Sequence, residues 1–295
     1  MADASHPDTD GTAAAVAPIG RRRALSLIAG LGAATVAACG GRSGGDSAGA
    51  GATSTTSTTA AGGAAPPDGV RGGATPAPAT ADDGDAIPTE TAGPYPADGS
   101  NGPNVLTEDG VVRRDIRSSF GSAAAVADGV PLTVELIVVA AGEDGVDDST
   151  PLPGAAVYLW HCNRAGEYSM YSQSVADENY LRGVQEADGE GRVGFRTVFP
   201  GAYSGRWPHI HFEVFASLAD ATGGGTPIAT SQIALPGDTC ALVYASDGYD
   251  QSVRNMDRAS LASDNVFGDD GGVDQLVTVT GSVRDEFVAS LTVPV

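Results

Sequence analysis

The stretch Tyr203-Ser204-Gly205-Arg206-Trp207-Pro208-His209-Ile210-His211-Phe212 decides how the rest of the chain is read. On an extended backbone, side chains two apart point the same way. His209 and His211 therefore share one face of a strand, while Ile210, Phe212 and Val214 fill the opposite, core-facing side. Two imidazoles on one face, with Tyr203 six residues before the first and Arg206 between them, make a candidate metal-binding edge.

Outward from this strand, the chain from Ile87 onward consists of short alternating or apolar runs separated by Gly, Pro and Asp turns. Strands are predicted at Leu132–Val139, Ala155–Trp160, Val193–Val198, His209–Phe215, Gln232–Ala234, Leu276–Thr280 and Phe287–Val293. Many short strands without a sustained helical period argue for an all-β domain, an antiparallel β-sandwich core with long loops. Ser172–Gln185 and Gln251–Leu261 suit either short helices or loops. Residues 86–295 suffice for one well-filled core.

Upstream the composition changes twice. Arg21-Arg22-Arg23 precedes an apolar run from Ala24 to Ala38, too short to span a bilayer but suited to the core of a signal peptide. The run closes on Val36-Ala37-Ala38-Cys39-Gly40, which resembles the lipobox of bacterial lipoproteins, and the paired arginines resemble a twin-arginine export signal. Residues 1–38 are thus expected to be a signal peptide and Cys39 the lipidated residue, placing the protein outside the cytoplasm on a membrane anchor. Residues 39–85 are Gly, Ala, Ser, Thr and Pro with almost no large apolar side chain, so a disordered tether is expected.

The chain has no lysine, 37 acidic residues against 16 basic ones, and a formal charge of -21. Losing residues 1–38 removes three charges of each sign and leaves that balance unchanged. So acidic a surface repels phosphate backbones and argues against nucleic acid as a partner. Apart from Cys39 the cysteines are Cys162 and Cys240, and an isolated pair in an oxidising compartment is expected to be bridged.

Two histidines supply only two neutral nitrogens, which suit zinc or copper as well as iron. Tyr203 stands just before the pair, and Tyr168 follows the predicted strand ending at Trp160. A phenol titrates near pH 10 and binds as phenolate only where a strongly acidic cation lowers that value. Two hard anionic oxygens with two imidazoles point to ferric iron.

Tyr168, Tyr203, His209 and His211, in that order, resemble the four iron ligands of the intradiol ring-cleavage dioxygenases, which act on catechol, hydroxyquinol and protocatechuate. Thr91-Ala92-Gly93-Pro94-Tyr95 resembles the early T-x-G-P motif of that family, and Asp115-Ile116-Arg117 its following segment. Pro153-Gly154-Ala155-Ala156-Val157-Tyr158-Leu159-Trp160 resembles the strand leading to the first ligand tyrosine. The resemblance covers residues from about 86 to the end. It implies one non-haem Fe(III) per chain, with Tyr168 and His209 equatorial, Tyr203 and His211 axial, and a catechol-type substrate and O2 as partners. It further implies that catechol displaces Tyr203, which helps take up its protons, and that Arg206 stabilises charge developing on the ring. Tyr95 and His161 are the candidate substrate contacts, although both suit packing as well.

Two departures from the family stand out. The N-terminal helical dimerisation segment of the cytoplasmic enzymes has no counterpart, so the oligomeric state stays open, and the export signal leaves the physiological substrate open too. Arg206 could instead pair with Glu213, and Asp269-Asp270-Gly271-Gly272 could hold calcium or be a solvated turn. The rival to an enzyme is a secreted, transthyretin-like sandwich that binds a partner at the cell surface.

Overall fold

The computed structural model describes residues 86–142 and 150–295. The expected signal peptide, the lipidated Cys39 and the tether lie outside the described residues. Two four-stranded sheets make up the domain. One runs in the order β4-β1-β8-β7, from β1 (Pro131–Val139), β4 (Arg192–Val198), β7 (Thr278–Gly281) and β8 (Phe287–Pro294). The other runs β3-β2-β5-β6, from β2 (Ala156–Trp160), β3 (Arg182–Glu186), β5 (His209–Phe215) and β6 (Ala229–Ala234).

The alternation in the sequence becomes the inner faces of the two sheets. Leu132, Val134, Leu136 and Val138 of β1 and Phe287, Ala289, Leu291 and Val293 of β8 meet Val157, Leu159, Ile210, Phe212 and Val214 in one buried cluster. Burying each of the larger side chains contributes about 1.5–3 kcal/mol of transfer free energy. The predicted strands are present, with one change in direction. β1 and β8 pair in parallel, from Leu132 opposite Phe287 to Val139 opposite Pro294, whereas an antiparallel sandwich was expected. These are the first and last strands, so no hairpin turn dictates their relative direction.

β5 is buried along its whole length because it has a strand on each side and a cover on each face. Its inner face packs between the sheets, and its outer face belongs to a second apolar cluster that contains Tyr158, Trp160, Tyr168 and Phe215.

The open span Ser172–Gln185 resolves into a 3-10 turn at Gln173–Val175 followed by the start of β3. Three short helices complete the domain: α1 (Leu218–Gly223), α2 (Gly237–Tyr244) and α3 (Asp250–Met256), the last inside the span Gln251–Leu261 but for its first residue. Ser217 caps α1 by accepting the Asp220 amide at 3.1 Å, and Gly224 closes it at φ 80°, so both of its end signals were present in the sequence.

The expected bridge between Cys162 and Cys240 does not form; both are buried free thiols. They belong to different apolar clusters, Cys240 to the core between the sheets and Cys162 to the outer cluster. Cys162 Sγ donates to the Gly201 carbonyl at 3.3 Å, and Cys240 Sγ points to the Leu235 carbonyl at 3.9 Å. Burial raises both thiols to about 12, which keeps them protonated and unreactive.

Candidate metal centre

The register of β5 builds the centre. His211 lies opposite Trp160 on β2 and opposite Gln232 on β6, so all three project from the outer face together. The Trp160 ring stacks on the His211 imidazole, with centroids 5.0 Å apart and planes 5° from parallel. Gly93 covers the same imidazole at φ +72°, where a Cβ would stand 3.2 Å from His211 Cε1. His211 is therefore held by packing, and its Nδ1 is buried with no hydrogen-bond partner. His209 is held differently, since its Nδ1 donates to the Trp207 carbonyl at 2.6 Å, which leaves Nε2 as a bare lone pair.

Two loops bring the phenols. After β2 the chain turns tightly at Asn163, whose Oδ1 accepts the amides of Ala165 at 2.9 Å and Glu167 at 3.0 Å, and the turn delivers Tyr168. Ser172 Oγ then accepts the Tyr168 amide at 3.0 Å. Tyr203 follows β4 on a loop gripped from α3, where Ser252 Oγ accepts the Ala202 amide at 2.9 Å and Asn255 donates to the Ala202 carbonyl at 2.8 Å. Gly166 lets the loops touch, since a Cβ there would lie 3.1 Å from Tyr203 Cβ.

These pieces converge on His209 Nε2. The Tyr203 hydroxyl is 2.9 Å from it, His211 Nε2 3.2 Å and the Tyr168 hydroxyl 3.5 Å. Burial, then the nearby Arg206 charge, lowers His209 to about 3, and burial with the neighbouring His209 carries His211 well below its ordinary value. Both imidazoles are therefore neutral and able to donate lone pairs at physiological pH. Burial pushes Tyr203 up to about 12 and Tyr168 well above its usual value. Two neutral imidazoles and two phenols, crowded with their donor atoms toward one point, fit a cation strong enough to take phenolate. Among the described residues no three of His, Cys, Asp and Glu gather elsewhere as a metal group.

Arg206 belongs to this centre and does not pair with Glu213. Its NH1 is 3.5 Å from His209 Nε2, its Nε donates to Asp264 Oδ2 at 2.9 Å, and its NH2 donates to Gln232 Oε1 at 2.7 Å. Gln232 in turn donates to the Thr91 carbonyl at 2.9 Å, tying the segment around Gly93 to the site. Beside these residues opens a cleft of about 740 Å³, with Tyr95 on its wall. The Tyr95 ring is 4.9 Å from that of Tyr168 and 5.2 Å from that of Tyr171, and it remains 37% exposed, as a residue at a mouth should be.

His161 does not face the cleft, contrary to its place among the candidate substrate contacts. It is buried, its Nδ1 donates to the Cys162 carbonyl at 2.8 Å, and its Nε2 accepts from the Thr197 hydroxyl at 2.7 Å. Burial lowers it from 6.5 to about 4. The unfolded chain takes up this proton as pH falls through 6.5 and the folded protein only near 4, so the neutral ring costs nothing above 6.5 and stability is lost between the two. The loss should be about 3 kcal/mol, and His161→Asn, compared in the same metal state, should flatten that part of the stability curve. An unchanged slope in urea titrations from pH 7 to pH 4 would count against it.

The turn Asp269–Gly272 closes on itself, with Asp269 Oδ1 accepting the Asp270 amide at 3.0 Å and Asp270 Oδ1 the Gly272 amide at 2.6 Å. Four residues of the centre had no signal in a local reading: Trp160 and Gln232, which arrive by strand register, Asp264, which lies 58 residues beyond Arg206, and Arg182. Arg182 is fully buried and ties the loops together, donating to the Pro96 carbonyl at 3.0 Å and the Ser169 carbonyl at 2.9 Å.

A family model described as dioxygenase matches residues 122–255, a range that includes both tyrosines, both histidines and Arg206. Catechol 1,2-dioxygenase 2 of Acinetobacter lwoffii is 35% identical over 115 residues, 33% of this chain and 38% of its own length. The protocatechuate 3,4-dioxygenase beta chain of Burkholderia cepacia is 33% identical over 125 residues, 39% of this chain and 50% of its own length. The chain thus spans half or less of each of these relatives. The solved structure of an intradiol ring-cleavage dioxygenase from Tetranychus urticae matches at a TM-score of 0.56 and 25% identity, covering 71% of this chain and 93% of the other.

Proposed function

We propose that the chain is an intradiol ring-cleavage dioxygenase, a non-haem Fe(III) enzyme that cleaves a catechol between its two hydroxylated carbons, a reading supported by the dioxygenase family model and the dioxygenase relatives it resembles. Both atoms of O2 would enter the product, a muconate-type dicarboxylate. The observation that carries the reading is the crowding of Tyr203, His211 and Tyr168 donor atoms within 3.5 Å of His209 Nε2. Ferric iron, when bound, would supply a Lewis-acidic centre for both catechol oxygens and make the ring reactive toward O2.

The side chains divide the remaining work. Tyr168, Tyr203, His209 and His211 would hold the metal. Tyr203 is the half-buried phenol on the cleft, so as phenolate it is placed to accept a proton from an incoming catechol hydroxyl. Tyr168 also borders the cleft but is buried, and so is less open to that exchange. Arg206 turns NH1, the guanidinium nitrogen that neither Asp264 nor Gln232 takes up, toward the same point, a hydrogen-bond donor suited to negative charge growing on the ring. Trp160 and Gly93 close over His211 and keep water from it.

Loading takes one proton from each phenol, so apparent ferric affinity should rise about a hundredfold per pH unit below the phenol range. The loaded protein should show a visible phenolate-to-iron band that shifts when catechol is added without oxygen. Tyr168→Phe and Tyr203→Phe combined should abolish it. A colourless preparation after iron loading would reject the ferric reading and favour zinc or copper at the histidine pair, or a binding module without chemistry. The names of the relatives span an uncharged ring, catechol, and a carboxylated one, protocatechuate, so the choice between them falls to the cleft itself.

We propose in addition that the domain is exported and held to a membrane by lipid on Cys39, with residues 39–85 as the tether. Cys39→Ser should then move the protein from the membrane fraction to the soluble one, and unchanged membrane retention would refute the anchor.

A further inference from the structure

We propose that Asp264 sets the charge of the cleft and thereby the charge class of its substrate: the site takes catechols whose ring substituents are uncharged and rejects those that carry a carboxylate. The inference rests on the reading of the centre as a catechol site.

Among the described residues that line the cleft, Arg206 is the one charged side chain. Its guanidinium is already committed, to Asp264 through Nε and to Gln232 through NH2. The Asp264 side chain has no solvent exposure. Its Oδ2 also takes the Trp207 amide at 2.6 Å, and its Oδ1 takes the amides of Val266 at 2.9 Å and Phe267 at 3.3 Å. Burial alone would raise this carboxyl, but the Arg206 hydrogen bond and the amides of Trp207 and Val266 bring it below the usual carboxylate range. The pair is therefore fully ionised, rigid and neutral as a unit.

Among the described residues, the walls offer an anion no second cation, only neutral hydrogen-bonding groups. Tyr95 and Tyr203 present phenols, Thr91, Ser172 and Ser204 hydroxyls, and Asn265 an amide. The further charged groups near Arg206 are acidic, Glu90, Asp269 and Asp270, and Glu90 is raised first by burial and then by repulsion from Asp269. A ring carboxylate entering here would lose water and meet no unmatched cation, an arrangement that costs far more than burying an uncharged group of the same size. Hydroxyl, alkyl or ether extensions of the ring meet no such penalty, and a cleft of about 740 Å³ leaves space beyond a single ring.

The test uses two ligands of equal shape and different charge, 3,4-dihydroxybenzoate and 3,4-dihydroxybenzamide, titrated without oxygen into the iron-loaded full chain while the visible band is followed. The amide should bind at least about tenfold more tightly, and oxygen uptake should show the same order in kcat/KM. Asp264→Asn, which keeps the shape and frees the Arg206 charge, should narrow that ratio severalfold. Should this variant melt too early to assay, Asn265→Lys adds a cation on an exposed wall position with Asp264 intact and should narrow the ratio in the same direction. Equal binding of the two ligands by the unaltered protein overturns the charge-class claim, and an unaltered ratio in a folded Asp264→Asn overturns the role of Asp264. Failure of every catechol to shift the band sinks the reading of the centre instead, and this inference with it.

Discussion

On the proposed ferric reading, His209→Leu is expected to strip iron from the protein and to remove on the order of a thousandfold or more of ring-cleavage activity while the sandwich stays folded. The expectation follows from where Nε2 sits. Tyr203, His211 and Tyr168 each place a donor atom within 3.5 Å of it, so it is a point that the remaining donors share. Leucine fills much the same space in a fully buried strand, so the core between the sheets loses nothing. What disappears is the one lone pair whose direction is set by the Trp207 carbonyl, 2.6 Å from the opposite ring nitrogen. The measurements are iron per chain, the visible band and the melting temperature. A variant that kept stoichiometric iron and its colour would show that the metal, if held here at all, does not depend on the crowded point.

Gly201→Ala is expected to destabilise the domain by about 3 kcal/mol and to disturb both phenol loops at once. The backbone of Gly201 presses on the turn that delivers Tyr168. A Cβ on it would fall 2.4 Å from the Arg164 carbonyl oxygen and 2.9 Å from Ser252 Oγ, distances that atoms do not share. The Gly201 amide also donates to the Asn163 carbonyl at 3.0 Å, so the two loops cannot separate without breaking that bond. Either the Asn163 turn or the segment leading to Tyr203 must move. For a domain of this size the loss corresponds to a melting temperature lower by roughly 10 °C. Iron affinity should fall along with it, because Tyr203 follows two residues later. Gly189→Ala is the control: its Cβ would meet no atom within 4 Å, and stability should stay within about 0.5 kcal/mol of the parent. A Gly201→Ala protein as stable as that control would refute the packing argument.

Most strands could be read locally because their apolar residues alternate, as in β8, where Phe287, Ala289, Leu291 and Val293 are buried and the residues between them are not. β3 could not, since Arg182-Gly183-Val184-Gln185-Glu186 shows no such alternation. Its arginine is buried against carbonyl and hydroxyl oxygens that come from distant loops. The parallel pairing of β1 with β8 was equally out of reach, because a strand pattern records which face is apolar and not which way its neighbour runs. The cysteine bridge was inferred from compartment alone. Two thiols in different apolar clusters, each facing its own carbonyl, have no need of one another.

The centre divides along the same line. His209 and His211 on one face are a consequence of the two-residue repeat of a strand, and the residue types, two imidazoles and two phenols, already select for a hard, strongly acidic cation. Those features belong to the sequence by itself. That the four donors meet, that Gln232 and Trp160 flank His211, and that a carboxylate 58 residues away neutralises Arg206 were decided by tertiary structure alone. The physical reason is one of range. Backbone sterics set a side chain's face within a few residues, but the distance between two loops depends on strand register and on how the core packs beneath them. His161 marks the boundary, since one residue beyond Trp160 its ring turns from the cleft to the Thr197 hydroxyl, a partner named only by the fold.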